Sequence, residues 1–296
     1  MDKLIEREAA TRNPLTAAPA LAVQFFLIPL AVIAITVLVY VGFRSLLADP
    51  RSPQDYLTEI QRGGSDRRWP AAYELSRLMA DPKVRADATL APSLVKAFQE
   101  STGDPQVRRY LALAIGRLDP PLPAAAVADL THALDDPDSE TRISVIWALG
   151  SSGDPAVVPR LLPLYNAPDA DAGIRKIVVY ALGALPGDEQ LQILRTALQD
   201  AAPDVRWNAA VALARKGQHD GVPVLRQMLD REYVEQAVKR DVRQDDDQDP
   251  IADVMISGLR AAAALKDESL KSAVTRLISP GAGRWPACWR KSRISE

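Results

Sequence analysis

DSETRISVIWALG, residues 138–150, reads as one complete helix. Thr141, Val145, Ala148 and Leu149 fall at i, i+4, i+7 and i+8, one face of a 3.6-residue turn. Asp138 stands where an N-cap belongs and Gly150 where the helix stops. The pattern recurs on both sides: DPQVRRYLALAIG from Asp104, DAGIRKIVVYALG from Asp171 and PDVRWNAAVALA from Pro203, with a divergent earlier copy, DRRWPAAYELS, around Arg68. The arginines that follow the first face position, Arg108, Arg142, Arg175 and Arg206, are 34, 33 and 31 residues apart. A near-constant period of this length is the signature of a stacked repeat.

Between the copies lie shorter amphipathic stretches, LAPSLVKAFQ, AVADLTHAL, VVPRLLPLY, LQILRTAL and VPVLRQML, joined to the long ones by Asp, Pro and Gly turns. Each unit is helix, turn, helix, turn, and none can bury its apolar face except against its neighbours. Composition agrees: 47% apolar but only 5% aromatic residues is what helices packed through Ala and Leu require.

The endings Ala148, Leu149, Gly150, Gly153, Asp154 and Ala181, Leu182, Gly183, Gly187, Asp188 resemble HEAT-like repeats of the bilin-lyase type, whose second helix reads V-R-x-x-A-x-x-A-L-G before Gly-Asp. The expected fold is an all-α, right-handed α-solenoid of about six HEAT-like helical hairpins over residues 52–279, preceded by one transmembrane helix. Ser52, Pro53 and Asp55 read as the cap and first turn that open it. A last helix, DESLKSAVTRLI, closes the array, and 280–296 is a tail without period, expected to be poorly ordered.

Residues 1–19 form an N-terminal tail, and from Ala20 to Phe43 the chain runs without a charge. Those 24 positions reach roughly 36 Å as a helix, beyond the ~30 Å hydrocarbon core. The expectation is a single-pass anchor. Lys3, Arg7 and Arg12 before the span, against Arg44 and Arg51 after it, lean weakly toward a cytoplasmic N-terminus.

Two columns of the long helices share a face roughly opposite the apolar one. One holds Trp69, Arg109, Ile143, Lys176 and Trp207; the other holds Tyr73, Leu113, Trp147, Tyr180 and Val211. In the repeats that this chain resembles such positions line the concave side, which implies a groove for a protein partner. Burial of the same rings between neighbouring hairpins is the other reading. For the column Arg68, Arg108, Arg142, Arg175 and Arg206, with Asp104, Asp138 and Asp171 four residues ahead of three of its members, the expectation is a capping and ion-pair ladder that sets register, with a phosphate-binding stripe as the alternative.

The stretch 231–250 breaks the period and reads as an insertion, with Arg231 to Arg243 extending the preceding helix as an arm. Asp245, Asp247 and Asp249 have the opening spacing of a calcium loop, but Pro250 and Ile256 stand where its glycine and glutamate belong, so a solvated acidic loop is expected. A net charge of -2 gives no general attraction to nucleic acid. His132 and His219 sit near no nucleophile motif, Cys288 is alone, and phosphate-loop and metalloprotease motifs are missing. The reading is a membrane-anchored protein-binding scaffold or adaptor, with an accessory subunit of a membrane complex and a lyase-type module as alternatives. No enzyme activity, cofactor, metal, nucleic acid or small-molecule substrate is expected.

Overall fold

The computed structural model describes residues 28–47, 51–87, 89–167, 170–238 and 249–278. The chain divides into two compact units, Met1–Ser52 and Pro53–Glu296. In the first, α1 spans Ile28–Leu47. Its large apolar side chains from Ile28 to Val41 are exposed, and Thr36 donates its hydroxyl hydrogen back to the Val32 carbonyl at 2.8 Å. The transmembrane helix expected over 20–43 is not what is found. Residues 20–27 lie outside the described part, α1 ends later and takes in Arg44 and Ser45, and no helix among the described residues is long and apolar enough to cross a membrane.

The second unit is helical, with no strand among the described residues. Its elements are α2 (Pro53–Arg62), α3 (Ser65–Leu78), α4 (Pro82–Arg85), α5 (Leu90–Glu100), α6 (Pro105–Gly116), α7 (Ala124–His132), α8 (Ser139–Gly150), α9 (Val158–Leu161), α10 (Ala172–Ala184), α11 (Leu191–Ala197), α12 (Pro203–Arg215), α13 (Val222–Met228), α14 (Arg231–Ala237), α15 (Pro250–Leu265) and α16 (Lys271–Ile278). The pairs α2/α3, α5/α6, α7/α8, α11/α12 and α13/α15 pack as hairpins; a 3-10 turn at Leu162–Asn166 supplements the short α9 against α10. The second helices α3, α6, α8, α10, α12 and α15 pack in succession, each on the next.

Local chemistry sets the starts. Asp104 accepts from the Val107 N–H at 3.3 Å, Asp138 from Thr141 at 2.8 Å and Asp171 from Ile174 at 2.8 Å, each satisfying a donor that the first turn leaves open. Pro105 and Pro203 occupy the first turn, where a missing N–H costs nothing. Gly153 and Gly187, with φ of 72° and 89°, take the left-handed turns that lead out of α8 and α10, and a side chain there would be strained.

The core is built from the expected face. Val107, Leu111, Ala114 and Ile115 are buried, as are Thr141, Val145, Ala148 and Leu149 and, further on, Val178, Ala181, Leu182, Val205, Ala209, Ala212 and Leu213. At the ends of these helices the backbones nearly touch. A Cβ placed on Gly116 would meet the Cα of Ala148 at 2.7 Å, on Gly150 the Cα of Ala181 at 2.7 Å, and on Gly183 the Cβ of Ala212 at 2.3 Å. The small residue that ends one long helix is thus the seat for an alanine of the next.

The insertion corrects the expected arm. Asp230 caps a new helix, α14, by accepting from the Glu232 and Tyr233 N–H groups, and Val234 is fully buried. The chain turns at Leu229 and Asp230 and folds α14 back against α13 and α15, so Arg231 does not prolong α13. Asp249 is the N-cap of α15, accepting from Ile251 and Ala252, while Asp245 and Asp247 lie outside the described residues, as does the tail from 280.

Candidate functional site

The two columns do not form one exposed stripe. Trp69 and Tyr73 on α3 are 40% and 39% exposed, and Tyr73 meets the Tyr110 ring edge-on at 5.3 Å, with Arg77 on its face at 5.7 Å. Arg109, Leu113, Ile143, Trp147, Tyr180 and Val211 are half-buried, Lys176 is exposed, and Trp207 is only 7% exposed. Neighbouring hairpins account for the difference. Arg117 lies 5.9 Å from the Trp147 ring and donates to the Ser76 carbonyl, while Arg109 and Lys176 approach the next repeat's aspartates, Asp138 at 3.4 Å and Asp204 at 3.3 Å.

The arginine column has a common geometry. Each member donates to a main-chain carbonyl near the end of its own first helix or the loop after it: Arg68 to Ile60 at 2.8 Å, Arg108 to Phe98 at 3.0 Å, Arg142 to Asp136 at 2.9 Å, Arg175 to Ala170 at 2.9 Å and Arg206 to Asp200 at 2.7 Å. A guanidinium satisfies those carbonyls and suits the negative end of a helix. Onward pairs to a carboxylate among the described residues include Arg68 to Asp104 at 3.5 Å, Arg108 to Asp136 at 2.7 Å and Arg175 to Asp200 at 2.8 Å. Asp136 and Asp200 were not among the residues that the sequence singled out. Their signal is an aspartate two or four residues ahead of the acidic residue that opens the next long helix, as in DDPDSE and DAAPD.

Asp200 is the most enclosed of these anions, its side chain 5% exposed. Burial alone would raise its pKa, but hydrogen bonds from Arg175, the Ala202 N–H and the Tyr165 hydroxyl more than offset that and hold it at about 2. Burial, then the bond to Asp200 and its charge, push Tyr165 up to about 12.

Where α10, α12 and α15 come together, the columns open into a cavity of about 350 Å³ lined by Lys176, Tyr180, Trp207 and Val211 together with Asn208, Arg215, Asp253 and Val254. The Trp207 indole Nε1 is itself buried and has no hydrogen-bond acceptor. Elsewhere, His219 Nδ1 lies 2.6 Å from Asp267 Oδ2, and His132 is exposed at the end of α7. Among the described residues no group of three His, Cys, Asp or Glu side chains is placed to hold a metal ion.

The HEAT repeats family model matches residues 91–172 and 167–244. This chain belongs to the HEAT-repeat family. The HEAT-repeat chain is also 28% identical over 134 residues to deoxyhypusine hydroxylase of Candida albicans, covering 45% of this chain and 42% of the relative. It is 32% identical over 84 residues to deoxyhypusine hydroxylase of Eremothecium gossypii, covering 28% and 26%. It therefore spans less than half the length of the curated relatives that it matches. An engineered protein of known crystal structure aligns with 73% of this chain and 97% of its own, at 19% identity and a TM-score of 0.46. The expectation that the chain is not an enzyme is corrected by these matches, since both relatives are named for an enzyme activity.

Proposed function

We propose that the chain is a protein-interaction scaffold that holds a partner along the face of its second helices, tethered to a membrane by the apolar segment from Ala20 to Phe43. The observation that carries the first part is the repeat array itself, with Trp69 and Tyr73 left exposed at one end of that face and an open cavity at Trp207 toward the other. Aromatic anchors of this kind contribute disproportionately to protein interfaces. The tether rests on the charge-free sequence and on the exposure of every large apolar side chain from Ile28 to Val41, an arrangement that water penalises by about 25 cal/mol for each Å².

Crosslinking in native membranes followed by purification is expected to yield a stoichiometric partner. A Trp69→Ala, Tyr73→Ala double variant should retain that partner at least tenfold less while keeping its helical content, because both side chains are exposed and contribute little to the core. An unchanged yield would place the partner on another surface. Alkaline carbonate washing should leave the full chain in the membrane pellet and release one that lacks residues 20–43; release of both would remove the tether from the proposal. The relatives' names favour a second reading, a hydroxylase activity in the same repeats, and a captured partner that gains one oxygen atom on incubation with the chain would favour it.

A further inference from the structure

The joints between successive second helices are made in two ways. At α6/α8, α8/α10 and α10/α12 a glycine at the end of one helix seats an alanine of the next, so the backbones are in contact. At α3/α6, where no glycine does so, Arg117 donates to the Ser76 carbonyl and Arg68 pairs with Asp104 at 3.5 Å. The joint of α12 with α15 has neither device. α12 ends in Arg215, where α6 and α8 end in glycine, and among the described residues no hydrogen bond or ion pair joins α12 to α15. The two helices meet through apolar side chains, whose contacts have no preferred direction and resist rotation less than a backbone seat does.

What holds the last hairpin lies on one side of α12. A Cβ on Gly221, at the turn into α13, would lie 2.8 Å from the Cα of Ala210, and the Tyr233 hydroxyl of α14 accepts from Arg206 at 3.1 Å. Arg206 and Ala210 are one turn apart on the same face; Asn208, Val211 and Arg215 fall on roughly the opposite one by the 3.6 period. On that opposite face, between α12 and Val254 and Ser257 of α15, lies the cavity of about 350 Å³. The hairpin itself is tightly built: a Cβ on Gly258 would lie 2.9 Å from the Met228 Cβ, which sets α15 directly on α13. Residues 238–249, which join α14 to α15, are a longer link than residues 198–202 between α11 and α12, so chain connectivity restrains α15 less.

We infer that the α12/α15 joint is a hinge: α13, α14 and α15 rotate as one body about the Gly221 contact with Ala210, and the cavity is the space that this rotation opens and closes. Pinning on one side of a helix with a void on the other is the geometry that lets a packed element take two arrangements. The curvature of a solenoid is built from small rotations between repeats, so the hinge adjusts the second-helix face at its C-terminal end while α6 to α12 stay fixed. The inference is independent of the scaffold reading.

The test is double electron–electron resonance on the full chain in detergent, with Cys288→Ser as background and nitroxides at exposed positions. The Gln192→Cys, Arg260→Cys pair spans the joint, from α11 to α15; the Gln106→Cys, Gln192→Cys pair runs from α6 to α11 and leaves it out. The distance distribution of the first pair is expected to be about twice as wide as that of the second, or wider. Val211→Phe, which adds bulk to the cavity from its half-buried wall, should bring the first width down to the second and leave the second as it was, with circular dichroism melts reporting that the variant is folded. Equal widths without that substitution, a comparison that touches no core residue, would overturn the hinge. So would a wide distribution that the folded Val211→Phe variant does not narrow, because the motion would then not use the cavity.

Discussion

Gly183→Val is expected to lower the melting temperature of the repeat unit by roughly 6–20 °C, the largest effect of any single substitution considered for this chain. Overpacking of a close-packed core costs about 1–3 kcal/mol where side chains can rotate aside. At Gly183 they cannot: the first atom added would lie 2.3 Å from the Cβ of Ala212 and 3.1 Å from its Cα, so α12 itself must shift. A cost of about 3–5 kcal/mol follows, and for a domain of this size each kcal/mol moves the midpoint by about 2–4 °C. Thermal melts followed by far-ultraviolet circular dichroism measure it. Two controls isolate the cause. Gly103→Ala, where nothing lies within 4 Å and φ is not positive, should stay within about 0.5 kcal/mol of the parent. Ala212→Gly should recover a large part of the loss in Gly183→Ala, since the colliding atom is removed, and the coupling in that cycle is the direct measure of the contact. Independent effects at 183 and 212 would refute the argument.

The same contact shows why the array was legible in the sequence. One small residue every 31 to 34 positions, always at the end of the helix whose apolar face precedes it, is a local pattern with one stacking solution, and both the caps at Asp104, Asp138 and Asp171 and the glycine seats follow from it. Capping chemistry was equally available at Asp230, where the sequence reading ran a helix straight through an aspartate that in fact starts a new one. What a single repeat does not encode is the offset between repeats. That offset decides that Arg108 and Arg175 meet Asp136 and Asp200, and that Trp207 is covered while Trp69, in the same column, is exposed. Trp207 lies where α15 closes over α12; Trp69 belongs to the first hairpin of the array. For the N-terminal segment, hydropathy gave the composition of α1 and not its limits, because a run of apolar residues has no cap to fix a boundary.

Asp200→Asn, nearly identical in shape, is expected to cost about 2–3 kcal/mol and lower the melting temperature by roughly 4–12 °C. The carboxylate takes Nε and Nη2 of Arg175 at 2.8 and 3.0 Å, the Tyr165 hydroxyl at 2.8 Å and the Ala202 N–H at 2.9 Å, so it ties α10, the turn that packs on α10 and the loop entering α12. An amide can keep one or two of these bonds but leaves the guanidinium without its counter-ion. The pH dependence has a defined sign. A pKa held at about 2 against the ordinary 3.8 means that the folded state binds the proton more weakly, so the stabilisation is present above about pH 4 and is lost as pH falls toward 2. A shift of that size corresponds to about 2 kcal/mol, in line with the estimate from the broken contacts. Wild-type and Asp200→Asn melting temperatures should therefore differ fully at pH 7 and converge between pH 4 and 2; a gap that persists at pH 2 would mean that packing, not charge, accounts for the loss. At the alkaline end Tyr165, raised to about 12, contributes stability that is full below about pH 10 and is lost as pH rises toward 12, and in the variant its titration should move down because burial alone remains to oppose ionisation. The Arg68 to Asp104 pair offers the contrast. Both its side chains are about a quarter exposed and 3.5 Å apart, and Asp104→Asn should cost less than about 1 kcal/mol, since water already screens what the enclosed pair at Asp200 must hold by itself.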